Sequence, residues 1–237
     1  MPLLECRTLV RRFGALVAVD KVDLAVERGE VRAVIGPNGA GKSTVFNLIT
    51  STLRPQSGTV LFDGEDITGL PVHAVARRGI ARTFQRCHVF PGLSVRENVR
   101  LAAQARDRRQ ALAHADEALA RLRLERHAAL TADTLSHGDQ RLLEVAMALA
   151  QKPRLLMLDE PTQGLSIEET ERAVHILKGM LAAEDLSVLL VEHDMEVVFK
   201  LADSITVLHR GRVIADGAPA AVRADPEVRK AYLGESG

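Results

Sequence analysis

Cysteine and aromatic residues are scarce in this sequence. Its 237 residues include two cysteines, one tyrosine and no tryptophan, and aromatic residues make up 3% of the chain. Two cysteines are too few for a disulfide framework, and Cys6 and Cys87 lack the spacing of a metal site. We expect both to be buried thiols in a reducing cytoplasm.

Long apolar runs and an excess of one charge are also missing. No run approaches the roughly 20 residues that cross a bilayer, and the N-terminus lacks the apolar core of a signal peptide. Lys+Arg and Asp+Glu balance at 31 each, so no overall field draws the chain to nucleic acid or to anionic lipid. A chain of this kind can still serve a membrane through a partner.

A glycine-rich loop is the segment around which the rest of the sequence is organised. It follows an apolar run, Val31–Ile35, which predicts a buried strand, and it precedes a predicted helix. In this context the pattern G-x-x-x-x-G-K-[ST] indicates a phosphate site, because glycines let successive backbone N–H groups converge on phosphate oxygens. The alternative is a chance glycine-rich turn before a helix. The predicted nucleotide-binding residues are Gly36, Pro37, Asn38, Gly39, Ala40, Gly41, Lys42, Ser43 and Thr44.

Side chains near this loop and at two strand ends carry the expected chemistry. Lys42 should reach the β- and γ-phosphates, and the Ser43 hydroxyl should hold Mg²⁺. Four apolar residues before Asp159 predict a strand buried on both faces, and ligands lie beyond the carboxyl ends of such strands. We therefore expect Asp159 to organise Mg²⁺ and Glu160 to orient or deprotonate an attacking water. His193 follows a similar strand, where it is either structural or a γ-phosphate contact.

The rest of the chain predicts an α/β fold with an inserted helical block. Residues 3–35 alternate as strands, and residues 59–71 suggest a hairpin. From residue 86 to 151 the pattern becomes helical, with a capping box at Ser94 and Glu97. Its arginines invite a nucleic-acid interpretation, but acidic residues interleave with them, which favours a solvated face. We predict a single domain, with 1–85 and 152–237 forming an α/β core plus β subdomain and 86–151 forming a helical subdomain.

A segment upstream of the acidic strand is the most discriminating part of the sequence. Ser136 and Asp139 are spaced as a helix cap, which predicts a helix from residue 140 to 150. This does not account for Gly138 in the first turn, where Gly costs about 0.5–1 kcal/mol relative to Ala. A helix N-terminus that receives a phosphate closely would explain it. Ser166 and Glu169 form another capping box, opening a helix to about residue 181.

Two further residues have two interpretations each. Phe13 lies among polar residues and glycine, so it is either part of the core or a stacking platform for a base. Gln85 ends a predicted strand at residues 80–84, where a lone Gln is usually only a polar terminus.

The motifs taken together resemble those of the nucleotide-binding subunits of ABC transporters, over nearly the whole chain. GPNGAGKS is similar to their Walker A motif, LLMLDE to Walker B and LSHGD to the signature. The resemblance implies a RecA-like P-loop NTPase core with an N-terminal antiparallel β subdomain and an inserted α-helical subdomain. It also makes Phe13 the adenine-stacking residue, His193 the H-loop residue and Gln85 the Q-loop residue, which shares in Mg²⁺ binding and catalysis and couples ATP to the permease.

In that family two ATPase subunits face head-to-tail, so the resemblance implies that Ser136 and Gly138 contact the ATP held by a second subunit, a copy or a paralogue. Two departures from the common motifs stand out. His137 and Asp139 replace Gly and Gln in the signature, and Ser166 stands where the D-loop usually has Asp. These departures put the coupling between subunits in question.

The phrases RTFQRCHVFPGLSVRENV, VEHDM and DPEVRKAYLGE resemble the ATPases of branched-chain amino-acid uptake and their amide and urea siblings. The resemblance implies two transmembrane permease subunits, an indirect solute-binding protein, no nucleic-acid partner and a peripheral place on the cytoplasmic side of the membrane. The short segment between Ala103 and Asp133 argues against the leucine/isoleucine/valine member itself. The alternative is a soluble ABC ATPase acting on DNA or ribosomes, although the chain lacks the coiled-coil insertion or second cassette of those proteins. A small-molecule P-loop kinase is disfavoured by LSHGD and Glu160.

Overall fold

The computed structural model describes residues 1–83, 88–182 and 186–233. The strands are β1 (Leu4–Phe13), β2 (Leu16–Val26), β3 (Val31–Ile35), β4 (Ser57–Phe62), β5 (Glu65–Asp66), β6 (Ile80–Arg82), β7 (Leu155–Asp159), β8 (Ser187–Val191), β9 (Ser204–His209) and β10 (Arg212–Gly217). The α-helices are α1 (Lys42–Ile49), α2 (Val72–Arg77), α3 (Val95–Ala103), α4 (Ala111–Arg121), α5 (His137–Leu149), α6 (Ile167–Ala182), α7 (Met195–Leu201), α8 (Pro219–Ala224) and α9 (Pro226–Leu233).

The chain forms two compact units. Unit 1 comprises Met1–Arg78 and the chain from Ser187 onward, and unit 2 comprises Gly79–Leu186. Helices α3, α4 and α5 lie within the segment predicted as a helical subdomain, and all three belong to unit 2. Unit 2 also contains β6, β7 and α6, so the predicted boundaries at residues 86 and 151 stay a prediction.

Unit 1 contains an antiparallel sheet in the order β2-β1-β4-β5. Alternate residues at the start of β1 are buried, because successive side chains of a strand point to opposite faces. Cys6 is one of these, and its burial raises the pKa of the thiol, with the carboxylates of Asp23 and Glu5 adding to the shift. Cys6 is therefore the buried thiol that we expected, while Cys87 lies outside the described residues.

A second sheet of unit 1 places strands in the order β10-β9-β3-β8. Strand β3 runs parallel to both β8 and β9, whereas β9 and β10 pair as an antiparallel hairpin. All five residues of β8 are buried, as the run of apolar residues predicted. Residues of α7, α8 and α9 pack on this sheet in one cluster of buried side chains: Ala33, Ile35, Val198, Ile205, Val207, Val222 and Val228.

In unit 2, β6 and β7 pair in parallel, and β7 is buried along its whole length. The predicted capping box at Ser94 is present, with reciprocal hydrogen bonds between Ser94 and Glu97 at the start of α3. Helix α5 begins at His137, three residues before the predicted start, because His137 to Asp139 already form its first turn. Among the helices of the described residues, none combines the length and the hydropathy that crossing a bilayer requires.

Candidate functional site

In unit 1, the glycine-rich loop connects the end of β3 to the start of α1. Gly36, Gly39 and Gly41 have positive φ angles of 151°, 80° and 108°. A Cβ on Gly36 would lie 2.1 Å from the carbonyl oxygen of Leu208, and one on Gly41 would lie 2.4 Å from that of Ala18. Only glycine fits these two positions, because an L-residue would collide with fixed backbone.

Helix α1 starts directly after this loop and leaves its N-terminal amides available to an anion. Its N-cap is Gly41, which has no side chain to accept from the first N–H groups of the helix. Lys42 is buried, and its ammonium donates to the carbonyl oxygens of Gly36 at 2.6 Å and Pro37 at 3.1 Å. Ser43, in the first turn, is exposed. The loop therefore places a cation beside the N-terminus of α1, whose N-cap makes no side-chain hydrogen bond, and this is the arrangement of a phosphate site.

Tyr232 of α9 also contacts the loop, and the sequence analysis did not identify it. Burial raises the pKa of Tyr232 to about 12, and the nearby backbone N–H of Gly36 opposes this shift. The contact joins residues almost two hundred positions apart, so no local sequence pattern could reveal it.

His193 lies just beyond β8, which is the parallel neighbour of β3 with Val34 opposite Val191. The carboxyl ends of the two strands meet at one edge of the sheet, so the structure brings the glycine-rich loop and His193 to the same edge. His193 is exposed, and its backbone N–H donates to the buried Glu192 carboxylate at 3.2 Å. This position suits a ligand contact, and the role itself stays a prediction.

Phe13 ends β1 and is not a core residue. Its side chain is 44% exposed, and the Arg11 guanidinium lies 4.8 Å from the centroid of its ring. An exposed aromatic ring is available to stack on a base. Base stacking stays a prediction for Phe13, and Gln85 lies outside the described residues.

In unit 2, Asp159 ends β7 with one oxygen paired and one unpaired. Its Oδ2 accepts from Arg82 at 2.7 Å, and its backbone N–H donates to Thr83 Oγ1 at 3.1 Å. Asp159 is 2% exposed, yet Oδ1 has no hydrogen-bond partner among the described residues. A buried carboxylate oxygen without a partner is costly unless a cation or a donor binds it. Asp159 therefore fits the magnesium role that the sequence predicts.

The next residue, Glu160, adopts a left-handed backbone conformation with φ of 50°. A non-glycine residue pays about 1–3 kcal/mol for such a conformation, and strain of this kind clusters at functional sites. Glu160 is also buried. Burial and an unusual backbone conformation thus coincide at the residue that follows β7.

The segment at residues 135–141 forms the N-terminus of α5. Ser136 is its N-cap, and its hydroxyl accepts from the Asp139 N–H at 3.1 Å. The Gly138 N–H donates to Glu169 Oε1 of α6 at 3.2 Å, and a Cβ on Gly138 would lie 3.4 Å from Glu169. The Glu169 carboxylate therefore reaches the helix N-terminus, and an added Cβ at position 138 would meet it at about van der Waals distance.

Both unusual residues of this segment contact neighbouring elements. Asp139 Oδ1 accepts from Arg172 Nη2 of α6 at 2.8 Å, and its Oδ2 lies 3.7 Å from His127 Nδ1. His137 packs against Gly164, where an added Cβ would lie 3.1 Å from the imidazole ring. The two unusual residues of the signature, His137 and Asp139, therefore take part in the packing of α5 against α6 and against the loop that precedes α6.

Comparisons with known proteins match the whole chain. A family model described as ABC transporter matches residues 19–163, and one described as branched-chain amino acid ATP-binding cassette transporter matches residues 212–237. The high-affinity branched-chain amino acid transport ATP-binding protein BraF of Pseudomonas aeruginosa is 41% identical, and the alignment covers 99% of both chains.

Solved structures agree with these matches. An ABC transporter ATP-binding cassette in its ADP conformation has a TM-score of 0.88 at 29% identity, covering 99% of this chain and 100% of that one. A dimeric cassette bound to ADP and phosphate has a TM-score of 0.79 at 28% identity, covering 91% of this chain and 98% of that one. These neighbours, with the antiparallel and mostly parallel sheets, confirm the predicted fold class.

Two glycines of the loop allow the cost of a positive φ to be separated from the cost of a steric collision with the backbone. Gly39→Ala should cost about 1–2 kcal/mol of unfolding free energy, because only the positive φ opposes it and no atom lies within 4 Å of its Cβ position. Gly36→Ala should cost at least about 1–3 kcal/mol more, because the new methyl group meets the Leu208 carbonyl. Urea unfolding of the two variants measures the difference, and equal losses would contradict the close approach.

Proposed function

The chain belongs to the family of ABC transporter ATP-binding proteins, and on that premise we propose that it powers the uptake of branched-chain amino acids. ATP hydrolysis coupled to transport follows from the family, whereas the solute and the partner subunits are our proposal. The observation that carries the solute assignment is the 41% identity with BraF along the whole chain, together with the family match at residues 212–237. Amides or urea are the alternative solutes.

The alignment with BraF runs over 252 residues and covers 99% of both chains, so it spans the short segment between Ala103 and Asp133. The length of that segment is the reason to keep amides and urea as alternative solutes. The relatives named above are transport ATPases, and they give no support to a soluble ATPase that acts on nucleic acid. The chain would act at the cytoplasmic face of the membrane, bound to two permease subunits that receive solute from a binding protein.

Binding of ATP would use the glycine-rich loop and two side chains. The amides of residues 36–44 would surround the phosphate oxygens, and Lys42 would exchange the carbonyls of Gly36 and Pro37 for the β- and γ-phosphates. The exposed ring of Phe13 would stack on adenine. These roles are supported by the glycine N-cap of α1, the buried ammonium and the exposure of Phe13.

Three oxygen-bearing residues would hold Mg²⁺. Two of its ligands would be the Ser43 hydroxyl and Asp159 Oδ1, which has no hydrogen-bond partner within the described part of the chain. The family resemblance adds Gln85. When bound, Mg²⁺ neutralises charge that develops on the β- and γ-phosphates.

Glu160 would act on the attacking water as a general base or an orienting acceptor. Its buried position and its left-handed backbone, a kind of strain that clusters at functional sites, support this role. His193 would contact the γ-phosphate from the end of β8. Ser136 and Gly138 would contact the ATP of a second subunit, which is supported by the dimeric cassette among the structural neighbours.

Replacing Glu160 tests the chemical step. Glu160→Gln preserves shape and hydrogen bonding but removes the carboxylate, so hydrolysis should slow by roughly 10²–10⁴-fold. ATP should still bind, and the lost negative charge beside the γ-phosphate should favour an ATP-dependent dimer. Phosphate release measures the first effect and light scattering with and without ATP measures the second. Glu168→Gln, at an exposed position, is the control and should hydrolyse ATP normally; a Glu160→Gln protein as active as this control would remove Glu160 from the chemistry.

A reconstituted transporter tests the solute. The chain would be purified with candidate permeases, a paired ATPase and a binding protein from the same organism, and placed in liposomes. Leucine should raise ATP hydrolysis and accumulate inside vesicles of the matching orientation, while urea and acetamide should do neither. Stimulation by urea or acetamide in place of leucine would reassign the solute to the sibling systems.

A further inference from the structure

The Glu169 carboxylate bridges two functional segments of unit 2. Its Oε1 accepts from the Gly138 N–H at 3.2 Å, and its Oε2 accepts from the Ser166 N–H at 3.1 Å. The Glu169 N–H in turn donates to the Ser166 hydroxyl at 3.2 Å, which completes a capping box at the start of α6. One carboxylate therefore holds the first turn of α5 and the residue at the D-loop position.

A second contact from α6 reinforces the first. Arg172 is three residues after Glu169, so the two side chains lie on the same face of the helix. Arg172 donates to Asp139 Oδ1 at 2.8 Å, and Asp139 follows Gly138 in the first turn of α5. Helix α6 thus presents an anion to the Gly138 amide and a cation to the adjacent carboxylate.

The electrostatics favour the carboxylate in this position. The N-terminus of α5 carries a partial positive charge, which attracts an anion. The hydrogen bonds from the Ser166 and Gly138 N–H groups lower the pKa of Glu169, with the Ser166 bond the larger cause. Glu169 is consequently ionised at neutral pH.

A phosphate and this carboxylate would compete for the same donor. Under the proposed function, the Gly138 N–H contacts the γ-phosphate of the ATP held by a second subunit. The N–H points in one direction, and a phosphate placed there would meet the Glu169 carboxylate as a like charge at hydrogen-bond distance. The phosphate can take the amide only after the carboxylate has moved away.

We propose that Glu169 is a positioning residue that occupies the phosphate place on the Gly138 amide in the open subunit and must leave before the two subunits close on ATP. The proposal rests on the proposed function of Ser136 and Gly138. The carboxylate then sets the ATP concentration at which the dimer forms. Because the same carboxylate binds the Ser166 N–H, its departure also loosens the cap of α6.

Removing the charge at position 169 tests this competition. Glu169→Gln keeps the size of the side chain and one acceptor oxygen, so α6 and the Ser166 cap should persist. In the Glu160→Gln background, Glu169→Gln should lower the ATP concentration for half-maximal dimerisation by about 2- to 5-fold, the size of an anion effect at a helix N-terminus. Glu168→Gln removes the same charge from the exposed side of the same turn and should leave that concentration unchanged. Light scattering over an ATP titration measures both.

Two further readouts separate competition from a merely structural role. With Glu160 intact, Glu169→Gln should lower the KM for ATP by a similar factor while kcat changes less than about 2-fold. In the nucleotide-free protein, the ¹⁵N–¹H resonance of Gly138 should shift in Glu169→Gln and stay in place in Glu168→Gln. A loss of kcat without a fall in KM, or an unmoved Gly138 resonance, would overturn the proposal.

The outcomes also distinguish this proposal from the proposed function. If the Glu160→Gln dimer forms and Ser136→Arg abolishes it, the signature acts as proposed. In that case, the role of Glu169 would be overturned if the ATP concentration for half-maximal dimerisation were the same or higher in Glu169→Gln than in Glu168→Gln. The proposed role of the signature would stand. If Glu160→Gln forms no ATP-dependent dimer, with itself or with its paired ATPase, two proposals fail together. These are the contact of Ser136 and Gly138 with the ATP of a second subunit, and the role of Glu169.

Discussion

The close approach of the glycine-rich loop to neighbouring backbone is the constraint on which nucleotide binding depends. Gly36 passes so near the Leu208 carbonyl, and Gly41 so near that of Ala18, that a single methyl group would collide. This contact lets β3 turn directly into α1 and leaves the helix amides for phosphate. The buried core under β3 and β9 supplies the rigidity that such a turn requires.

Polar groups of this loop in unit 1, and others at the end of β7 in unit 2, have the chemistry that the proposed ligands require. The Lys42 ammonium donates hydrogen bonds to carbonyl oxygens of the loop, and one oxygen of the buried Asp159 has no partner among the described residues. Glu160 keeps a left-handed backbone that a relaxed strand end would avoid. These features fit the roles that we propose for Lys42, Asp159 and Glu160 in the binding and hydrolysis of ATP.

Local patterns predicted the elements, while contacts between distant residues escaped prediction. The apolar run at β7, the capping boxes at Ser94 and Ser166 and the glycine-rich loop depend on neighbours in sequence, so the sequence alone revealed them. The start of α5 was misplaced by three residues, because the helix begins at His137 directly after its Ser136 cap. Glu169 binds the Gly138 amide from another helix. Tyr232 on Gly36 and Arg82 on Asp159 are likewise set by tertiary packing.

Mixing two inactive subunits tests most directly whether this ATPase works as a head-to-tail pair. Lys42→Ala removes phosphate binding but keeps Ser136, and Ser136→Arg blocks the signature but keeps Lys42. If Ser136 serves the ATP of the opposite subunit, a mixed dimer contains one complete site, and ATP hydrolysis should return on mixing to a substantial fraction of the wild-type rate. If both residues serve the same subunit, neither protein can complete the other, and a mixture that stays as inactive as its components would contradict the account.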